Sequence, residues 1–250
     1  MTSAVVVVER TADATEGARA EASARFVRVA AGASVADALR AIGAALELPA
    51  RGTCAGVTSH GDGVAGASPA PVVELVDVGW VSLAAGGVET HLAPRRLPDV
   101  TDVVSGVVYA RTADPAILPA ATEYVAHVGG GASVLPFDVT AIAPADPSTI
   151  RIGGEDEGVV VASGTSVDFA WPADGTDDTV YVDVQPGGAR CVLGDGTGVD
   201  PGHASIPASL LNDTGTMVVH RLHREAVRAR GLEAAEIRFD FARSVAYVRP

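Results

Sequence analysis

Lysine is absent from the chain. All eighteen basic residues are arginine, and there is one asparagine, Asn212, and one glutamine, Gln185. That bias fits GC-rich codon usage and carries no functional meaning. Aromatics are scarce too, at 4 % within an apolar fraction of 48 % that is mostly alanine and valine. Small side chains pack thin layers, which suits sheets stacked face to face. Positive charge is in deficit, with a net charge of −13. This argues against nucleic acid, because phosphate binding depends on cationic counterion release. The one local basic run, Arg221 to Arg230 with Arg224 and Arg228 beside His220, is broken by Glu225 and reads as a solvated strand edge or loop. No stretch approaches the roughly eighteen apolar residues of a transmembrane segment. Ala4 to Val8 is too short for a signal-peptide core and lacks a basic leader. The chain is therefore expected either to be cytoplasmic or to begin after a removed export signal.

Cys54 and Cys191 are the only cysteines. They could form one disulfide or be two inert buried thiols, and geometry excludes most distant pairs from bridging. Two isolated cysteines make a poor zinc site, which needs further ligands close by.

The composition of what remains is that of a globular protein, and local patterns divide it. Residues 1–56 read as a small strand-helix module. Val5 to Val8 and Arg25 to Val29 read as strands, separated by a connection rich in Ala, Glu and Gly. Ser34 can cap a helix, with Asp37 three residues on and Val35, Ala38, Leu39 and Ile42 at helical spacing. Residues 57–71 are small and polar, a linker. Residues 72–143 read as five or six strands, with prolines such as Pro94 and Pro136 between them and Gly129-Gly130-Gly131 as a turn. Residues 144–250 carry the clearest alternation, in Val167-Asp168-Phe169-Ala170-Trp171, in Val180 to Val184, and in Ile237 to Phe241. The fold class expected is mainly β, with an antiparallel sandwich at the C-terminal end. Trp80 and Trp171 sit among valines in strand patterns and are expected in the core.

That last segment resembles an immunoglobulin- or fibronectin-type β-sandwich. The resemblance rests on Val167 to Trp171, Thr179-Val180-Tyr181-Val182-Asp183-Val184, Ile206 to Leu211 and Glu236-Ile237-Arg238-Phe239-Asp240-Phe241, about two fifths of the chain. It departs from antibody domains, since no second cysteine within the segment faces Cys191. More loosely, the Ala- and Asp-rich text is similar to uncharacterised secreted or lipid-anchored proteins of high-GC bacteria. That resemblance implies an envelope or secreted location with the export signal missing, and no activity.

Candidate chemistry lies in acidic loops. In Gly194-Asp195-Gly196-Thr197-Gly198-Val199-Asp200, Asp195 and Asp200 are hard oxygen ligands of the type calcium takes, although the spacing is not that of an EF-hand. Asp174, Asp177 and Asp178 form a second cluster, and all five are candidate calcium ligands. The plainer reading of each loop is a solvated turn. Converging on one cleft, the two loops would supply the paired carboxylates of a hydrolase. His220 and His223 would share a face on a helix but point oppositely on a strand, and the local pattern is strand. No Gly-x-Ser-x-Gly elbow is present. The function expected is a non-catalytic binding or structural module needing no cofactor, its partner a protein or a cell-envelope component. A metal-assisted or carboxylate-dependent hydrolase is the alternative.

Overall fold

The computed structural model describes residues 2–13, 17–29, 34–56, 73–97, 104–154, 158–173, 177–194 and 201–250. The protein is mainly β. Its strands in chain order are β1 (Thr2–Asp13), β2 (Gly17–Val29), β3 (Cys54–Gly56), β4 (Val73–Leu75), β5 (Val81–Ala85) and β6 (Val88–Leu97). Then come β7 (Val104–Ala113), β8 (Glu123–Val128), β9 (Phe137–Ile142), β10 (Arg151–Ile152), β11 (Val160–Val161) and β12 (Ser166–Ala170). The last five are β13 (Thr179–Gln185), β14 (Ala189–Val192), β15 (His203–Pro207), β16 (Thr214–Val227) and β17 (Ala234–Val248). Helix α1 (Val35–Ala41) starts where the capping signal predicts, and the Ser34 hydroxyl accepts the Ala36 amide at 3.1 Å. Asp37 does not close the capping box; it pairs with Arg40 at 2.6 Å instead.

One large sheet runs in the order β3-β14-β13-β16-β17-β1-β2-β4-β7-β6-β5-β8-β9, and a separate three-stranded sheet is ordered β10-β12-β15. The large sheet crosses the boundaries drawn from sequence at residues 56 and 143. Strand β1 pairs in parallel with β17 from Ser3↔Ala234 to Ala12↔Arg243, and antiparallel with β2 along its length. The predicted connection after Val8 is thus strand over residues 9–13 and 17–24. Its alanines Ala20, Ala22 and Ala24 are buried and face the core. Pro94 lies inside β6 rather than beside it. It sits where that strand leaves β5, its last pairing there being Val81↔Leu92, and joins β7 through Ala93↔Ala110. A proline is tolerated where one ladder ends.

The sheet folds over two apolar cores. In the first, Val6, Val8, Ala22, Ala24, Phe239 and Phe241 pack against Leu83, Tyr124, Ala126 and Val128 of the layer β5-β8-β9. In the second, Val180, Val182, Met217, Val219 and Tyr247 pack against Ile152, Val167, Phe169 and Ile206 of the three-stranded sheet. The two cores share β16 and β17, and between them the inward face turns polar. Along this seam Arg221 of β16 and Arg10 of β1 flank Phe241 of β17 in one inward row, and Arg243 takes the next inward position of β17. Arg243 donates to the Ile150 carbonyl, and Arg10 pairs with Asp146 at 3.3 Å while lying over the Phe241 ring. Arg221 is 0 % exposed, so the basic run is no solvated edge at this position. Its Nε donates to Asp178 at 3.0 Å, and the other oxygen of Asp178 accepts from His223 Nδ1 at 2.9 Å. A guanidinium this deep is tolerable only when paired and hydrogen-bonded.

On the opposite, outward face of the large sheet, α1 and the chain after it form a strap. Leu39 and Ile42 pack on Val5, Val7 and Ala44, and Leu46 and Leu48 pack on Tyr181, Val192 and Leu222. Polar clasps hold it: Arg238 Nη1 donates to the Ala44 carbonyl at 3.0 Å, and Arg190 Nη1 to that of Glu47 at 3.2 Å. The strap ends as β3, which adds to the edge of β14. There Cys54 and Cys191 are directly opposed partners joined as a disulfide. The sequence left a bridge and two buried thiols both open, and strand pairing decides for the bridge by bringing the two Cα atoms to 4.0 Å.

Candidate functional site

Beside the strap, the outward face carries a polar network that joins Asp240, Tyr181, His220, Asp183 and Arg190. Strand pairing builds it in rows. Glu21, Glu9 and Asp240 are direct cross-strand neighbours on β2, β1 and β17. In the adjoining row Ala242 on β17 pairs with His220 on β16, and His220 with Tyr181 on β13. Like charges directly opposite on neighbouring strands are destabilising, so this row opposes the fold that contains it.

Asp240 is fully engaged. One oxygen accepts the Tyr181 hydroxyl at 2.5 Å, and the other accepts from His220 Nδ1 at 2.8 Å. The imidazole of His220 stacks on the Tyr181 ring at 4.1 Å with nearly parallel planes, and its Nε2 lies 3.9 Å from Asp183. Arg190 grips Asp183 with two 2.7 Å hydrogen bonds and lies over the other part of the aromatic stack. Burial, then the Asp240 charge and hydrogen bond, push the Tyr181 phenol well above its ordinary range. Hydrogen bonds donated to Asp183, and the charge of that carboxylate, hold the Arg190 guanidinium above its usual value.

Glu9 is different. It stands in an open groove of about 500 Å³ lined by Glu9, Thr11, Arg19, Glu21, His220 and Asp240 among others, and is itself exposed. A smaller recess of about 140 Å³ continues from it under the strap, between Glu9, Arg25, Arg238 and Ala44. Loss of water in the groove raises the Glu9 pKa, and the Asp240 and Glu21 charges raise it further. Arg25 and Arg238 oppose that rise by charge alone, with no hydrogen bond contributing. The groove therefore offers a carboxylate flanked by the acids Asp240 and Glu21, with Arg25 and Arg238 as its cationic neighbours, beside a histidine fixed in place by Asp240.

Of the acidic-loop residues predicted from sequence, the two that are described, Asp177 and Asp178, do not line this groove. Asp174, Asp195 and Asp200 lie outside the described residues, as do the linker 57–71, His60 and the cluster at 155–157. Asp177 is exposed, while Asp178 is 1 % exposed at its side chain and committed to Arg221 and His223. The two therefore do not share a solvated turn, and Asp178 is not available to a cation. Among the described residues, no group of three or more His, Cys, Asp or Glu side chains is placed to hold a metal ion. His220 and His223 point to opposite faces of β16, as strand periodicity requires: one joins Tyr181 outside and the other Asp178 inside. Glu9, Glu21 and Asp240 were not singled out by sequence reasoning, because they are single acids in three separated strands. The polar positions of Glu9 and Asp240 in valine- and phenylalanine-rich runs were the only available signal.

No helix among the described residues is long and apolar enough to cross a membrane. No protein-family model matches the chain, and comparison with curated proteins finds no match, so the site is interpreted from its own geometry.

Proposed function

We propose that the protein is a non-catalytic binding module of the cell envelope or the extracellular space, and that the groove at Glu9 takes a cationic side chain of a partner. The observation that carries this reading is the row Glu21–Glu9–Asp240, three adjacent carboxylates opening on a groove. An arginine or lysine of a protein or envelope component placed there removes the mutual repulsion and gains charge-assisted hydrogen bonds. The groove wall contributes His220 and the hydroxyls of Thr11 and Thr112, and no serine, cysteine or lysine nucleophile. The Cys54–Cys191 bridge supports the location, since disulfides persist in oxidising compartments. Support for the immunoglobulin-like reading of the C-terminal half comes from strand order. Sheet β10-β12-β15 faces β14-β13-β16-β17, with β11 parallel to β17.

The test is titration calorimetry with an oligolysine peptide at low ionic strength, on the wild type and on Glu9→Gln and Glu21→Gln. Expected is saturable binding that weakens about tenfold in each variant and falls as salt is raised. Absence of binding by the wild type, or variants that bind as well as it does, overturns the proposal.

A further inference from the structure

Trp80 was expected in the core and is instead 51 % exposed, whereas Trp171 is buried at 7 %. The reason is parity. Val81 and Leu83 of β5 point into the first core, so Trp80 and Ser82 point out from the layer β6-β5-β8-β9. The residue opposite Trp80 is Gly129, whose amide donates to the Trp80 carbonyl at 2.9 Å. A Cβ built on Gly129 would lie 2.3 Å from Trp80 Nε1, 2.5 Å from Cδ1 and 2.8 Å from Cε2. Near-equal distances to three bonded ring atoms put that point over the ring face, not off its edge. The indole thus lies down on bare backbone with one face seated. This also explains the glycine triplet: a side chain at Gly130 would strike Pro136 at 2.6 Å, and one at Gly131 the Asp77 carbonyl at 2.4 Å.

One pleat away on the same face, the next row is polar and already ordered. The Ser82 hydroxyl, itself buried, donates to the exposed Glu89 at 2.7 Å and holds it in place, and His127 Nδ1 lies 2.8 Å from Asp138. Ser82 and His127 are direct cross-strand partners, and so are His127 and Asp138. Covering a glycine with an aromatic ring accounts for the seated face of the indole. It does not account for a large apolar ring left open beside fixed hydrogen-bonding groups.

We propose that this face binds a carbohydrate, with Trp80 stacking on a pyranose ring and the solvent-accessible polar groups of His127, Asp138 and Glu89 bonding its hydroxyls. A gluco-configured pyranose presents axial C–H groups on both faces and hydroxyls around its rim. An aromatic plane with polar groups about one pleat repeat away, roughly 7 Å, matches that division. A partner protein resting on Trp80 would instead meet a row of carboxylates and histidines where an interface core is depleted of charge. The shelf stands on an open sheet face, which suits the interior of a β-1,4-linked chain. The site is independent of the Glu9 groove, because the two outward faces lie on opposite sides of the first core.

The test uses cellohexaose, followed by tryptophan emission and by retardation in gels containing hydroxyethylcellulose, with calorimetry for the dissociation constant. Expected is a saturable emission change in the wild type with a Kd of about 1 mM or tighter. Trp80→Ala abolishes the retardation while far-UV circular dichroism stays unchanged, since the side chain is exposed. His127→Ala weakens binding about tenfold. Glu9→Gln leaves sugar binding intact, which separates this site from the groove. Gly129→Ala, which unseats the indole, reduces binding in a folded protein. Wild type silent in both assays, or retardation that survives Trp80→Ala, overturns the proposal. So does self-association that depends on Trp80 with no response to sugar.

Discussion

The sharpest energetic consequence of the fold lies at Asp178. Replacing Asp178 by Asn conserves its volume and removes a charge that is 1 % exposed, held 3.0 Å from the Nε of a fully buried arginine. Breaking such a pair from one side leaves the other charge in the interior, which costs about 3–5 kcal/mol. Native stability as a whole is about 5–15 kcal/mol, so the loss is a large share of it. With a urea dependence of about 3 kcal/mol per molar, the unfolding midpoint should fall by about 1–1.7 M with the slope unchanged. The measurement is equilibrium urea denaturation without reductant, so that the disulfide is intact in both states. Were Asp178 in a solvated turn, as its acidic neighbours suggest in sequence, the change would be under about 1 kcal/mol. A shift that small refutes the reasoning. A second arm sharpens it: Asp178→Leu combined with Arg221→Met removes both charges, and should recover most of what the single change loses. A double variant worse than the sum of the two singles would contradict the account equally.

Three further outcomes follow from the same architecture. Asp178 holds the folded-state pKa of His223 above its unfolded value, first through their hydrogen bond and then by charge, with Glu225 and Asp177 adding to it. Its stabilising contribution is therefore complete below about pH 6.5 and is lost as pH rises through the folded value. Urea midpoints measured from about pH 6 upward should fall less steeply in His223→Gln than in the wild type, and parallel profiles would exclude the linkage. The Cys54–Cys191 bridge closes a separation of 137 residues, so replacing both cysteines by Ala should cost about 2–5 kcal/mol. Hydrogen exchange should then speed up first in the strap between Gly43 and Thr53, and a non-reduced peptide map showing two free thiols would refute the bridge. Acrylamide should quench one of the two tryptophans freely, and Trp80→Phe should remove that component and leave the protected emission of Trp171. Equal quenching before and after the replacement would mean that Trp80 is not the exposed indole.

Local order was legible from the sequence because it is set by local periodicity. Alternation of Val180, Val182 and Val184, or of Ile237, Phe239 and Phe241, marks strands whose one face is buried, and both sets lie in cores. Ser34 marked the start of the only α-helix among the described residues, since a hydroxyl before an apolar periodic run satisfies a free amide. The opposite projection of His220 and His223 followed from the strand period alone. What escaped was every relation between distant segments. The parallel joining of β1 to β17 sets Ser3 beside Ala234, and nothing in either strand names the other. From that pairing come the shared sheet, the seam of arginines between two cores, and the row of Glu21, Glu9 and Asp240. The burial of Arg221, the exposure of Trp80 and the meeting of Cys54 with Cys191 belong to the same class. Each depends on which strand lies alongside and which layer lies above. A residue's own neighbours in the chain determine that it alternates, and the tertiary structure alone decides what each side of the alternation meets.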